Sequence, residues 1–288
     1  MPVNGKRLST FSRVISAWCT GLFFLGYATN IFASEGPQRI VSINVCTDQL
    51  VALLAEKDRI VSLSHLANDP YSSWLGTFVD GLILNHGTAE EVIALSPDLV
   101  VTTSFSFRPT ISILKKLGYP VLELPIAKNL DDVSTNLVLL ASAIGDNEKT
   151  QAVIRQFNSE VSSQAIPLNS QLPLFVSYEA NGWTMGENSL TNNVAQMAGF
   201  ETIGSRLDFS GGLKVDLEKL LTIKPDLIEL GYQWSEAPAL VSQNLWHPAL
   251  QELLKRTTLI NIPDSLWLCG SPKTLDALHI LQQAREEL

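Results

Sequence analysis

Short apolar runs alternate with helical segments along most of the chain after residue 35. In the first half, apolar runs predict strands at 39–43, 59–64, 82–85, 98–103 and 120–124, with helices between them at 48–55, 89–95 and 110–117. The second half repeats the alternation, with strands predicted at 174–178, 226–230 and 259–263. This alternation is typical of parallel sheets covered by helices on both faces.

One sequence segment occurs twice in the chain, and we call it the duplicated phrase. The segment EEVIALSPDLVVT at 90–102 returns as EKLLTIKPDLIEL at 218–230, and each copy starts with a glutamate seven residues before its proline. Each copy joins a short helix to a buried strand. The duplication predicts an α/β protein with two related Rossmann-like lobes and a ligand cleft between them.

The connection between the lobes is predicted to be helical. Residues 133–144 and 148–161 carry apolar residues at three- and four-residue spacing, interrupted at Gly145 and Asp146, and no Gly/Ser-rich or Pro-rich linker occurs there. We therefore predict an N-terminal lobe at 35–145, a linking helix at 146–166 and a C-terminal lobe at 167–288. A helical connection is a semi-rigid spacer, so it should limit opening of the cleft.

Residues 1–34 have the pattern of a secretory signal peptide. Lys6, Arg7 and Arg13 precede an apolar stretch at 14–28, and the small residues Ala33 and Ser34 follow. The stretch is shorter than the roughly 20 residues of a membrane-spanning helix, although an uncleaved anchor remains an alternative. The segment has three basic residues and no acidic one, so its removal takes the net charge from −9 to −12. An acidic protein of this kind is not expected to bind nucleic acid.

Candidate ligand-binding residues follow the predicted strands, because ligands of open parallel sheets bind beyond the carboxyl ends of the strands. Aromatic side chains dominate this set, which suits a bulky, partly apolar ligand held by ring faces and oriented by hydrogen bonds. The set consists of Cys46, His65, His86 and Arg108 in the first lobe, and Tyr178, Trp183, Tyr232, Trp234 and Trp267 in the second.

Two cysteines remain after the predicted signal, Cys46 and Cys269, and each stands between the end of a strand and the start of a helix. Export implies an oxidising compartment in which they are able to pair. We predict a disulfide between the lobes. Two separate thiols, or direct contact with the ligand, remain open alternatives.

Motifs for catalysis are absent from the sequence. It contains no G-x-S-x-G elbow, no G-x-G-x-x-G after a strand, no phosphate loop and no H-E-x-x-H. The four histidines form no obvious cluster with carboxylates in the sequence. We therefore predict a binding protein and not an enzyme, with no catalytic residues, no metal site and no resident cofactor.

Several motifs occur in an order that resembles a known family. They are RIVSIN at 39–44, the phrase with Pro-Asp-Leu in each half, the helical connection, and WLCGSP at 267–272. In this order and spacing, over essentially the whole chain after the signal, they resemble the periplasmic binding proteins of ABC importers for ferric siderophores, haem and cobalamin. The resemblance implies a periplasmic monomer that delivers a metal chelate, a corrinoid or a ferric siderophore, to an inner-membrane importer. Haem is an alternative cargo, and a membrane-anchored chelate sensor is an alternative role.

The resemblance also implies two docking residues. In that family one glutamate on each lobe docks into an arginine pocket of the transmembrane subunits, and the matching positions are Glu90 and Glu218. Carboxylates on separate lobes suit bidentate pairing with arginines. The alternative for each is a solvated glutamate in the first turn of a helix, favoured by the helix dipole. For the cargo, many aromatic and few basic residues after the strands favour a corrinoid or a near-neutral chelate over an anionic catecholate.

Overall fold

The computed structural model describes residues 36–164, 172–231 and 245–288. Parallel strands and helices alternate in these residues, so the predicted fold class, two α/β lobes with mainly parallel sheets, is confirmed. The strands are β1 (Ile40–Ser42), β2 (Ile60–Ser64), β3 (Ile83–Asn85), β4 (Leu99–Thr103), β5 (Val121–Leu124), β6 (Leu174–Tyr178), β7 (Trp183–Met185), β8 (Glu201–Thr202), β9 (Gly212–Lys214), β10 (Leu227–Leu230) and β11 (Thr258–Ile260). The helices are α1 (Val45–Leu54), α2 (Ala89–Ala94), α3 (Arg108–Lys116), α4 (Leu130–Ile144), α5 (Glu148–Ser163), α6 (Leu190–Met197), α7 (Ile203–Leu207), α8 (Leu217–Ile223), α9 (Pro248–Leu254), α10 (Asp264–Trp267) and α11 (Thr274–Glu286).

Some predictions fall outside the described residues. The signal segment at 1–34 is one of them, and the candidate ligand-binding residues Tyr232 and Trp234 are two others. The lobe boundaries at 145/146 and 166/167 stay predictions. Helix α4 ends at Ile144 and α5 spans Glu148–Ser163. Among the described helices, none is both long and apolar enough to cross a membrane.

The two sheets have related strand orders. The first sheet runs β3-β2-β1-β4-β5 and the second β11-β10-β6-β8, and all of their pairings are parallel. The pair β10 and β6 therefore corresponds to the pair β4 and β1. Strand β8 and the antiparallel ribbon of β7 and β9 were missed by the sequence patterns. Strand β8 has two residues and β9 is exposed at all three positions, so neither produces an apolar run.

The duplicated phrase has the same conformation in both lobes. The burial of residues 93–100 matches that of residues 221–228 position by position. The residue before each proline is left-handed, with φ of 47° at Ser96 and 54° at Lys224. The Asp98 carboxylate accepts hydrogen bonds from the two backbone N–H groups before β1 at 2.6 and 2.8 Å, and that of Asp226 accepts one from the Leu174 N–H at 2.7 Å. Each aspartate thus attaches the start of its strand to the neighbouring strand.

A shared hydrophobic core joins the lobes. In each sheet one face packs into this core, through Ile40 and Phe175 for example, while the opposite faces, with Val41 and Val176, pack into separate clusters. Helices α1, α4, α6 and α11 all contribute buried side chains to the shared core. Rotating the lobes apart would expose this apolar surface at a cost of about 25 cal/mol per Å². The shared core therefore favours a small opening of the cleft.

Candidate functional site

The carboxyl ends of the two sheets meet at a disulfide. Cys46 is the second residue of α1, which follows β1, and Cys269 follows α10, the helix after β11. They form a disulfide with a Cα–Cα distance of 4.9 Å, so the predicted bond between the lobes is confirmed. Asn44 orders the first turn of α1, since its side chain accepts from the Cys46 N–H at 2.9 Å and donates to the Ser106 hydroxyl at 2.9 Å.

Two histidines stack at the ends of neighbouring strands in the first lobe. His65 follows β2 and His86 follows β3; their ring centroids are 4.7 Å apart, with 24° between the ring planes. Both residues are exposed. His86 Nδ1 lies 3.1 Å from Glu91 Oε1, and the His86 backbone N–H donates to Glu91 Oε2 at 2.8 Å. That backbone hydrogen bond is the main cause that lowers the pKa of Glu91. A carboxylate only accepts, so Nδ1 donates, and in the neutral imidazole Nε2 presents its lone pair.

An aromatic ring in a strained backbone conformation extends this surface. Phe107, just before α3, has φ of 51° and ψ of 38°, the left-handed region that bulky residues rarely adopt. Its ring covers Gly87, where an added Cβ would lie 2.6 Å from the ring, so only glycine fits. The Thr110 hydroxyl donates to the Gly87 carbonyl at 2.9 Å and stabilises the contact. We call His65, His86 and Phe107 the aromatic platform.

The second lobe presents two exposed tryptophans. Trp183 starts β7, is 47 % exposed, and packs its indole against Gly212 of β9. Trp246 is 64 % exposed and lies two residues before α9. Tyr178, at the end of β6, is buried. Trp183 is thus exposed on the surface, whereas Tyr178 lies inside the lobe.

Three other candidate residues are engaged in contacts within the protein. Trp267 is 6 % exposed and its ring lies 6.3 Å from that of Phe175 in the shared core, so it has little surface to offer a ligand. Arg108 starts α3, is largely exposed, and lies 3.7 Å from Glu123. The sulfur of Cys46 is held in the disulfide. The ligand-binding role of the whole predicted set stays a prediction.

An acidic cluster lies at the carboxyl edge of the second sheet. It consists of Glu179 after β6, Glu229 in β10 and Asp264 at the start of α10. Burial is the main cause that raises the pKa of all three, and that of Glu229, which is 2 % exposed, rises to about 8. The Ser177 hydroxyl donates to Glu229 Oε2 at 2.7 Å, whereas Oε1 has no hydrogen-bond partner among the described residues. Glu229 is therefore a neutral acid at pH 7.

The predicted docking glutamates occupy equivalent positions. Glu90 and Glu218 are the second residues of α2 and α8, and both are exposed. Helix α2 begins with a capping box of Thr88 and Glu91, which fixes its first turn. Within the described ranges, no group of three or more His, Cys, Asp or Glu side chains is arranged to hold a metal ion.

Sequence reasoning missed several residues of this edge. Glu229 lies in strand β10 and Asp264 is the first residue of helix α10. Nothing in the sequence shows that their carboxyl groups approach one another. Trp246 precedes a helix rather than following a strand, so the rule of strand ends did not select it. Asn136, buried in α4, looks in sequence like an ordinary polar helix residue.

Comparisons with known proteins agree with this architecture. The sequence model of the family described as periplasmic binding protein matches residues 40–251. A cobalamin-binding protein of Halobacterium salinarum is 22 % identical over 207 residues, covering 70 % of this chain and 56 % of the relative. The chain thus spans about half the length of the curated relatives that it matches.

Solved structures with the same fold bind different ligands. The vitamin B12 binding protein BtuF of Vibrio cholerae matches with a TM-score of 0.68 and 17 % identity, covering 88 % of this chain and 98 % of the other. The haem-binding protein RhuT of Roseiflexus sp. RS-1 matches with a TM-score of 0.70 and 17 % identity, covering 87 % and 100 %. The haem-binding protein HutB of Vibrio cholerae matches with a TM-score of 0.68 and 13 % identity, covering 87 % of this chain and 98 % of the other. At these identities the likeness shows the fold alone.

Proposed function

The chain belongs to the periplasmic binding protein family, and from this premise we propose that it captures a metal chelate, a corrinoid or a ferric siderophore, between its lobes. It then delivers the chelate to an inner-membrane ABC importer. The protein acts as a monomer in the periplasm, after cleavage of the signal at 1–34, and carries no cofactor of its own. It is a binding protein without catalytic activity, in keeping with its family.

The aromatic platform is the observation that carries this proposal. A phenylalanine in a left-handed conformation costs stability, and such strain persists mainly where function needs it. The platform lies at the carboxyl end of the first sheet, where ligands of this architecture bind. Trp183 offers a further exposed ring in the second lobe. Ring faces of this kind suit the apolar surface of a macrocyclic or aromatic chelate.

The experiment that tests the cargo is a fluorescence titration. The protein without residues 1–34 is titrated with cyanocobalamin, haemin and a panel of ferric siderophores, and tryptophan quenching is corrected for ligand absorbance. Saturable quenching by one chelate identifies the cargo. No binding by any member of the panel contradicts the proposal.

Haem is the second candidate cargo, and the geometry of His86 favours it. Its Nδ1–H is held by Glu91, so in the neutral imidazole Nε2 is the lone-pair nitrogen on an exposed ring. Histidines that coordinate metals commonly donate their other N–H to a carboxylate in this way. Axial coordination by His86 would change the Soret spectrum of haemin, and His86→Ala would abolish that change. A corrinoid cargo predicts no such spectral change with haemin.

Replacing Phe107 by Asn is expected to lower the affinity for the cargo about two- to tenfold, because one ring contact is worth roughly 0.5–1.5 kcal/mol. Asn tolerates the left-handed backbone, so folding should be preserved. Titration of the chelate that quenches the wild type measures the change. Leu117→Asn is the control, since Leu117 is exposed at the opposite end of α3. Equal affinities of the Phe107 variant and the wild type would exclude the platform from the site.

Docking to the importer is proposed to use Glu90 and Glu218, one on each lobe. In their favour are the exposure of both carboxylates and their equivalent positions in the duplicated phrase. Charge-assisted pairing with arginines of the transmembrane subunits is the chemistry that these groups offer.

The double variant Glu90→Gln/Glu218→Gln is expected to lose more than about 90 % of chelate uptake, because truncating charged partners of an interface costs roughly 2–5 kcal/mol. Chelate affinity should not change. Uptake is measured with the importer reconstituted in vesicles. The control is Glu148→Gln/Glu252→Gln, a pair of highly exposed glutamates elsewhere on the surface. Uptake by the docking variant at the wild-type rate would refute the assignment.

A further inference from the structure

A small pocket opens between the lobes beside the disulfide. Its cavity volume is about 50 Å³. Ile126 and Leu268 line it and are 50 % and 55 % exposed, so they mark its mouth. The remaining walls are mostly apolar and come from both lobes. They include Leu50, Leu124, Pro125, Ala127 and the bond between Cys46 and Cys269.

One polar group in this pocket lacks a partner. Asn136 of α4 lines the pocket and is 3 % exposed. Its Nδ2 donates to the Pro125 carbonyl at 2.9 Å, while its Oδ1 has no hydrogen-bond partner in the described part of the chain. The orientation of the amide follows from chemistry, since the Pro125 carbonyl only accepts and so requires the nitrogen. The oxygen, which is itself buried, is therefore the group that lacks a hydrogen bond.

The Asn136 Oδ1 atom needs a hydrogen-bond donor. Buried acceptors are nearly always satisfied in native proteins, and each exception calls for an explanation such as a ligand or a water. The cavity is several times larger than the roughly 10–15 Å³ that one water needs. It is far too small for a macrocycle, but it matches one small side group of a larger ligand bound above it.

We propose that this pocket is a subsite of the cleft for a donor group of the cargo, with a primary carboxamide as its chemical class, and that it rejects a carboxylate. The inference rests on the proposed function, because it presumes a chelate in the cleft. A carboxylate would place its lone pairs against Asn136 Oδ1, and among the described residues no Lys or Arg lines the pocket. The apolar walls add the cost of desolvating a charge.

This selectivity separates the candidate cargoes. A corrinoid carries primary carboxamides around its ring, whereas haem carries two propionates and a ferric catecholate is anionic. The pocket therefore points to a corrinoid with intact amides.

Paired corrinoid probes test the subsite. Dicyanocobinamide has carboxamides, and dicyanocobyrinic acid has carboxylates at the same positions. The wild type is expected to bind the amide form at least about tenfold more tightly, and Asn136→Leu should remove most of that preference. Asn192→Leu is the matched control, since Asn192 is equally buried but its Oδ1 accepts from Thr202 and lies outside the pocket. The control should keep the preference.

A second measurement addresses the pocket without any chelate. The side-chain amide signal of Asn136 is followed by ¹⁵N NMR in the wild type during titration with acetamide and with acetate. A saturable shift with acetamide but not with acetate supports the subsite. If the protein shows that shift but binds no corrinoid, the subsite stands and the corrinoid cargo is rejected. Equal responses to acetamide and acetate, or an unchanged corrinoid preference in a folded Asn136→Leu variant, overturn the inference.

Discussion

Removing the Cys46–Cys269 disulfide is expected to lower the free energy of unfolding by about 5 kcal/mol, because the bond closes a very long loop in the unfolded chain. The two cysteines are separated by 223 residues. The loop-closure entropy of the unfolded state grows with the logarithm of the loop length. The stabilisation by this disulfide is therefore near the upper end for a protein of this size. We expect a single unfolding transition with and without the bond, since the lobes share one hydrophobic core.

Urea unfolding of the wild type and of Cys46→Ala/Cys269→Ala measures this effect. The variant should unfold at a lower urea concentration and with a steeper denaturant dependence, because its unfolded state exposes more surface. The control is the double variant with added reductant, which should show no further change. A difference in free energy below about 1 kcal/mol would contradict the entropic account.

Replacing Glu229 by Gln is expected to change the pH dependence of stability. Burial raises the pKa of Glu229 from 4.5 to about 8 in the folded protein. Between these values the folded state holds a proton that the unfolded state has released, so stability falls as the pH rises from about 4.5 to 8. Above pH 8 the loss is complete and amounts to on the order of 4 kcal/mol.

The difference in free energy of unfolding between the wild type and Glu229→Gln should therefore shift by this amount between pH 4.5 and pH 9, in favour of the variant at high pH. Gln keeps an oxygen that accepts from Ser177, so folding should persist. Glu286→Gln is the control, since Glu286 is exposed in the last turn of α11. Parallel pH profiles for the wild type and Glu229→Gln would show that Glu229 is ionised in the folded protein.

Much of the architecture was predictable because local periodicity encodes it. Each predicted strand overlaps an observed one, with shifts of at most a few residues at the ends, as at 39–43 against Ile40–Ser42. Caps such as Asn44 and Thr88 are local signals as well. The duplicated phrase revealed two lobes because the same turn and strand start recur in both, down to Asp98 and Asp226.

The candidate site was predictable only in part. The rule that ligands bind beyond strand ends identified His65 and His86, but their stacking depends on the side-by-side pairing of β2 and β3. Phe107 also followed a strand, yet its strained conformation and its contact with Gly87 are features of the turn in three dimensions. Trp267 looked like a cleft residue, because nothing local showed that it packs on Phe175.

By itself the sequence determined the α/β class, the two lobes and the cysteine pair, because apolar periodicity, a repeated phrase and a residue count are properties of the chain. Only the tertiary structure decided which side chains meet: the stacked histidines, the three carboxyls around Glu229, and the Asn136 oxygen in a pocket between the lobes. Such contacts join residues far apart in the chain, and their energies depend on burial and distance. Neither quantity exists before the sheets and their shared core have formed.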